Sequence, residues 1–383
     1  MDNAWEVEAR ALREINKLQH THITQCIAAI RRGSRRYFMF PWAGGGSLQD
    51  FWESIPNQHP NATMIHQTIE QLWGLADALD TLHHGDDSGN SNDERLIPNI
   101  TEGRRSVRHG NLEPSNILRF LEQDGTTSVT TQPQLGLLKI ADLNLAKQHT
   151  VATMYGTKST RQRYGTVRYE APEATVRLGG RSRLYDIWSM GCIVLEFIIW
   201  ILHGNETLED FRAQVEGPSR QACQFYEGNP PQVHHVVTKW ISRIRLSDPE
   251  CSRSSAIRDL LDVVRTRLLV VELDPRPSPA RKGSFSSQVH AGDRYRATAA
   301  EFRSLLDGIL AKAKADPGSY LSTGQSRENV QLPDRSDSLL PSTAVLHPTQ
   351  RLISRGTSFS RAGCTDRAVQ EYSVSYNTRI AIL

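Results

Sequence analysis

Residues 183–202 constrain the fold more than any other part of the chain. The stretch GCIVLEFIIWIL at 191–202 is almost wholly apolar, and Glu196 is its one charged residue. A membrane-crossing helix takes about 20 such residues, so this run is too short, and a mid-run carboxylate argues further against lipid. It predicts a core helix buried within protein. With 383 residues, the chain can supply one large two-lobed domain or two ordinary ones around such a helix.

Composition narrows the class. Hydrophobic residues make up 38% and charged residues 23%, a soluble globular balance rather than that of a membrane or fully disordered chain. The formal net charge of +3, from 45 basic and 42 acidic residues, is too small to imply nucleic acid as a partner. Cys26, Cys192, Cys223, Cys251 and Cys364 are scattered, with no CxxC pair, so neither a disulfide framework nor a zinc site follows and a reducing compartment is implied. The opening MDNAWEVEARALRE lacks an apolar signal core. These features predict an intracellular protein of cytoplasm or nucleus, with no membrane partner.

Along the chain, Val7, Ala11, Leu12, Ile15 and Leu18 form a helical stripe within 4–19. CIAAI (26–30) and YFMF (37–40), joined by the basic turn RRGSRR, predict an antiparallel strand pair that Pro41 and Gly44–Gly46 terminate. Ile65, Ile69, Leu72, Leu75, Leu79 and Leu82 mark another helix face. The polar stretch 85–105 is expected to be a surface insertion. NILRFL (116–121) and LGLLKIA (135–141) are strand-like, and Ala299, Phe302, Leu305, Leu306 and Ile309 predict a last helix near 297–313. From 314 to 383, Ser, Thr, Arg, Gln and Pro dominate, which predicts a largely disordered tail.

The most informative segment is HGNLEPSNIL, 109–118. It resembles the protein-kinase catalytic loop, HRDLxxxN, with His109, Leu112 and Asn116 at the family's spacing. The family's other marks follow in order. Asp142 ends LLKIAD where the DFG aspartate falls, Ala171, Pro172 and Glu173 match APE, and Asp186, Trp188 and Gly191 match the large central helix. Arg296 stands where an arginine pairs with the APE glutamate. The resemblance covers 4–313, and YFMFPWAGGGSL and SRLYDIWSMGCIVLEF look especially like fungal Ser/Thr kinase-like domains.

The resemblance implies an α+β, protein-kinase-like fold over 1–313. Residues 1–43 would form a partial N-lobe and hinge, an αC-like helix plus two strands, and 44–313 a mostly helical C-lobe. It implies ATP and Mg2+ as cofactors. Asp142 and Asn116 would hold the metal, backbone groups of Pro41, Trp42 and Ala43 would face adenine, and Phe40 would be the gatekeeper. Asp186 would anchor the loop near His109, and Glu8 would be the αC glutamate.

Two departures fall on the chemistry. Asn111 occupies the position of the aspartate that accepts the substrate's proton, and general-base help is worth about 10²–10⁴ in rate. Glu113 occupies the position of a lysine that neutralises the γ-phosphate. One charge–charge contact at about 4 Å is worth about 4 kcal/mol at an effective dielectric of 20, so its sign matters. A third expectation is that the Gly-rich loop and its lysine strand are absent, the sequence starting almost at the αC-like helix. Gly110 replaces the arginine that would hold an activation-loop phosphate, and Leu143 and Asn144 replace the rest of DFG. The combination predicts a pseudokinase or impaired kinase that binds a protein partner. The alternatives are an active ATP-dependent Ser/Thr kinase acting on protein hydroxyls, or a truncated product without function.

Other features read more plainly. Gly44–Gly46 after FMFPWA fits an interlobe hinge better than a phosphate loop. His20, His22, His83 and His84 read as helix-end and turn residues rather than metal ligands. RKGSF (281–285) and SRGTSF (354–359) read as solvated linker with serines after basic residues.

Overall fold

A computed structural model describes residues 2–55, 59–84, 106–121, 134–142, 147–149, 167–174, 182–217, 223–251, 253–273, 295–325, 330, 332–333, 370–374 and 378–382. The insertion 85–105, Leu143, Asn144 and both basic Ser-containing segments lie outside the described residues.

The chain begins with α1 (Asp2–Asn16), β1 (Ala28–Arg32) and β2 (Arg35–Pro41). The two strands form an antiparallel hairpin in which Ala28 faces Met39 and Arg32 faces Arg35 across a two-residue turn. Helix α1 lies on this sheet, with Trp5 stacked on Phe38 at 5.8 Å. Ala9, Leu12, Cys26 and Phe38 form a small core of their own. The expected two-strand sheet is wider than the sequence suggested. Strands β9 (Gln370–Val374) and β10 (Thr378–Ile382), from the far end of the chain, extend it in the order β1-β2-β10-β9. The second edge of β2 is thereby paired over Met39–Pro41, which shortens the open edge.

The large core is helical. After α2 (Leu48–Ser54) comes α3 (Ala62–His84), whose predicted stripe from Ile65 to Leu82 is almost completely buried. Strands β3 (Ser106–Arg108), β4 (Ile117–Phe120), β5 (Leu137–Ile140) and β6 (Lys147–His149) form the short pairs β3–β6 and β4–β5. Helix α4 (Leu184–Glu216) runs on past the predicted 183–202, interrupted by non-helical Gly204 at φ 81°. By length and composition this helix could cross a membrane, but 94% of its most apolar window is buried inside the protein. Trp188, Phe197 and Trp200 are fully enclosed there. The hairpin β7 (Tyr226–Glu227) and β8 (Gln232–Val233), then α5 (His235–Ser247), α6 (Ala256–Val263) and α7 (Ala299–Ala315), complete the order. Thr298 and Glu301 cap α7 reciprocally, and Trp73 of α3 donates to Asp307 of α7 at 2.7 Å. The α+β kinase-like architecture with a helix-rich C-terminal part is what the sequence predicted.

Within 314–383, expected to be largely disordered, several described residues are built into the fold. Tyr320 and Leu321 are each 5% exposed. The Tyr320 carbonyl accepts from Ala256 N–H at 2.8 Å, and its hydroxyl donates to Asp259 at 2.7 Å. Glu250, itself buried, accepts from Ser322 Oγ and Thr323 N–H. Two buried side chains and these hydrogen bonds together dock the backbone after α7.

Candidate functional site

The site is assembled around the segment between β3 and β4. Asp186, at the start of α4, is fully buried. It accepts the N–H of His109 at 2.9 Å and of Gly110 at 2.8 Å. His83 Nε2 lies 2.9 Å from the same carboxylate. Burial is the largest influence on this carboxyl and would raise its pKa. The His83 hydrogen bond, the electrostatic attraction of His83 and the Gly110 amide outweigh it, and hold the pKa below the ordinary value.

His109 is also fully buried, and both of its ring nitrogens are hydrogen-bonded. Nδ1 accepts the N–H of Asn111 at 3.2 Å, so Nε2 carries the proton and donates to Ala141 O at 2.9 Å. This ties the loop to the end of β5, one residue before Asp142. Gly110 adopts φ 76°, where a β-carbon would be strained and would stand 3.2 Å from Arg108 Nε. Arg108, 3% exposed, sets its guanidinium beside Gly110 and 5.5 Å from the Tyr185 ring centroid. A cation therefore lies next to the position where the sequence shows the family's arginine missing.

Asn116 and Asp142 are brought to the same end of the β4–β5 pair. Ala141 N–H donates to Asn116 O at 2.9 Å. Asn116 Nδ2 donates to Asn111 O at 2.9 Å, which leaves its amide oxygen as an acceptor. Asp142 holds φ 58°, a left-handed conformation unusual outside glycine and frequent at functional positions. One carboxylate and one amide oxygen suit a hard divalent cation such as magnesium.

The chain after β2 is fastened to this unit. Gly45 N–H donates to Arg119 O at 3.1 Å and Arg119 N–H to Gly46 O at 2.8 Å. A β-carbon on Gly45 would lie 2.9 Å from Arg119 Cβ, so only glycine permits the approach. The buried Arg119 guanidinium donates to the carbonyls of Leu135, Gly45 and Gln134, and burial lowers its pKa to about 10. Ser47 and Asp50 then form a capping box that starts α2. The glycine run is thus a structural connection between strand and helix. Phe40, Pro41, Trp42 and Ala43 are half-buried, and β10 sets Ala381 opposite Phe40 and Ile380 opposite Pro41.

The remaining candidates fall in different places. Glu173 and Arg296 form a bidentate pair at 2.8 and 3.1 Å, and Arg296 also donates to the carbonyls of Val270 and Leu184. Glu8 lies on α1, where its charge, after burial, contributes to raising the Cys26 thiol pKa. Asn111 and Glu113 are half-buried, and Ser115 Oγ donates to Glu113 at 2.9 Å.

Sequence reasoning missed two elements. His83 lies in the last turn of α3, as the sequence predicts, and is also the third partner of Asp186. Glu196, seen only as a charge in an apolar run, is fully buried and accepts from Arg212 Nη2 at 2.7 Å and Nε at 2.9 Å, and from the Tyr169 hydroxyl at 2.8 Å. A buried carboxylate demands such partners, so its mid-helix position was the available signal. A third cluster, Glu227, His234 and His235, places its ligand atoms within 4.8 Å of one another. His234 Nδ1 caps α5 by accepting from Val236 N–H, which leaves Nε2 protonated in the neutral ring and turns it away from metal binding.

The profile of the protein kinase domain matches residues 2–278. The chain belongs to the protein kinase domain family. It is similar to the serine/threonine-protein kinase ksp1 of Schizosaccharomyces pombe, at 25% identity over 50% of this chain and 33% of that one. It is also similar to the mitogen-activated protein kinase kinase kinase ANP1 of Arabidopsis thaliana, at 25% over 48% of this chain and 22% of that one. The serine/threonine-protein kinase SSN3 of Yarrowia lipolytica matches at 25% over 56% and 46%. The chain spans less than half the length of each of these relatives.

Proposed function

We propose that this kinase domain is impaired in phosphoryl transfer and works as a binding or scaffold module for a protein partner. The observation that carries the reading is the pair Asn111 and Glu113 in an otherwise well-anchored loop. A carboxamide is a poor proton acceptor, so Asn111 can orient a hydroxyl but not take its proton. Glu113 places a negative charge where a γ-phosphate would need a positive one.

Asn116 and Asp142 fit magnesium by donor type, and such a metal supplies charge neutralisation to bound phosphates. The backbone of Pro41–Ala43 and the side chain of Phe40 are the proposed adenine contacts, so weak ATP–magnesium binding accompanies this reading. The retained metal pair also favours a second reading, an active Ser/Thr kinase in which positioning alone carries the reaction. Incubating the purified chain with radiolabelled ATP, magnesium and dephosphorylated casein separates the two. Incorporation at background level is expected, and sustained transfer into serine or threonine would establish the second reading.

A further inference from the structure

The hairpin of β1 and β2 turns through RRGSRR, and its register sets Arg31 opposite Arg36 and Arg32 opposite Arg35. Like charges directly opposite each other on an antiparallel pair are destabilising, so this arrangement opposes folding. Arg36 is engaged within the fold. Its side chain donates to the carbonyls of Gly33 at 2.9 Å and Arg35 at 3.1 Å, and its guanidinium lies 5.7 Å from the Trp5 ring centroid. Arg31, Arg32 and Arg35 are exposed, and none has an ion-pair partner among the described residues. The tip is a concentrated positive charge left without a counter-charge.

The strand that carries two of these arginines is open along its outer side. The order β1-β2-β10-β9 puts β1 at the end of the sheet, with no strand beyond it among the described residues. Ile27 leads into β1 and lengthens the ladder by donating its N–H to Met39 O at 2.7 Å, yet it is 53% exposed. The open edge thus runs from an apolar side chain at one end to arginines at the other. Charged side chains guard sheet edges in general, but guarding does not require facing like-charged pairs gathered at one tip. An extended segment adds to such an edge through backbone hydrogen bonds and is selected by its side chains. Arginine pairs with carboxylates through two parallel N–H bonds.

We infer that the β1 edge docks an extended acidic segment of a protein partner, which joins the sheet as a further antiparallel strand. Antiparallel pairing is the more stable per residue. It lays acidic residues first, beside the arginine tip, and an apolar residue after them, beside Ile27. The compact tip and the net charge of only +3 favour a short acidic run over the long phosphate array of a nucleic acid. The inference rests on reading the domain as a binding module and names the surface that binds.

The test is fluorescence anisotropy on the whole chain without ATP, at physiological salt. The labelled probe is a nonapeptide of four glutamates followed by Val-Thr-Val-Thr-Val. Its controls carry glutamine in place of glutamate, or the same residues in reverse order. The acidic probe is expected to bind at least tenfold more tightly than the glutamine peptide and at least threefold more tightly than the reversed one. In the complex, backbone amides of Ala28–Arg32 should slow their hydrogen exchange. Replacing Arg31, Arg32 and Arg35 together by glutamine should remove the preference for glutamate without lowering the melting temperature, and Ile27→Thr should weaken binding. Equal binding of acidic and glutamine peptides, no binding at millimolar concentration, or an unchanged preference in the triple variant would overturn the inference. Unchanged exchange in β1 would overturn strand addition, and tighter binding of a DNA duplex than of the acidic peptide would overturn the choice of a protein segment. Phosphoryl transfer, measured separately, would refute impaired catalysis and leave this surface standing.

Discussion

Asp186 and His109 lie wholly out of solvent, whereas Glu113 and Ser115, a few residues further along, border an open polar cavity. The enclosed part of the site holds its carboxylates in several hydrogen bonds each. Asp186 holds two loop amides and His83, Glu173 holds Arg296, and Glu196 holds Tyr169 and Arg212. The open part carries the departures, a neutral amide and a reversed charge. On the proposed reading, anchoring the loop and running its chemistry are separable demands. A buried carboxylate cannot be altered without stranding its donors, whereas an exposed side chain can change at small cost to folding.

This contrast breaks most sharply at Asp186. Asp186→Ala strands the amides of His109 and Gly110 and the His83 ring, and hydrogen bonds to charged groups are worth about 1.5–3 kcal/mol each. A loss above about 4 kcal/mol is expected, seen as insolubility or rapid proteolysis. A denaturant melt equal to the parent's would show that the loop is not anchored there.

Next in size is the Tyr169–Glu196–Arg212 cluster. Arg212 is raised above its ordinary pKa because the charge and hydrogen bonds of Glu196 outweigh the opposing effect of burial. Arg212→Ala leaves that carboxylate unpaired, at a cost of about 3–5 kcal/mol. Replacing both partners, Glu196→Met with Arg212→Met, should recover most of the loss. A double variant as unstable as the single one would mean that packing, not charge, is the issue.

Acid sharpens the same comparison. The folded pKa of Asp186 lies below the unfolded value of about 3.9. Its contribution is thus complete above about pH 4 and is lost as pH falls through the depressed value. His83→Phe removes the strongest of the influences that lower it, so the acid limb of stability, followed by thermal melts, should move to higher pH.

Much of this was legible in the sequence, and for definite reasons. The loop, Asp142 and the APE segment are short linear patterns, so residues adjacent in the chain announced them. The core face of α3 was legible because one helix face repeats every three or four residues. What stayed hidden depends on distant partners. His83 meets Asp186 across 103 positions, and Glu196 meets Arg212 only because Gly204 redirects α4. Strand β10 reaches β2 from the other end of the chain, and no local pattern encodes such a pairing.

A smaller effect concerns the metal pair. Any ATP binding seen by thermal shift should depend on magnesium in the parent and lose that dependence in Asp142→Ala. Retained dependence would move the metal contact elsewhere in the domain.

The separation of anchoring from chemistry is tested most directly by the phosphoryl-transfer rate of the unmodified, folded chain. Ordinary protein kinases turn over at about 1–100 s⁻¹. With saturating ATP and magnesium and a Ser/Thr-rich protein substrate, incorporation is predicted to stay at background while the loop remains protected from proteolysis. A rate within tenfold of an ordinary kinase would contradict the account, because Asn111 and Glu113 would then suffice for the reaction.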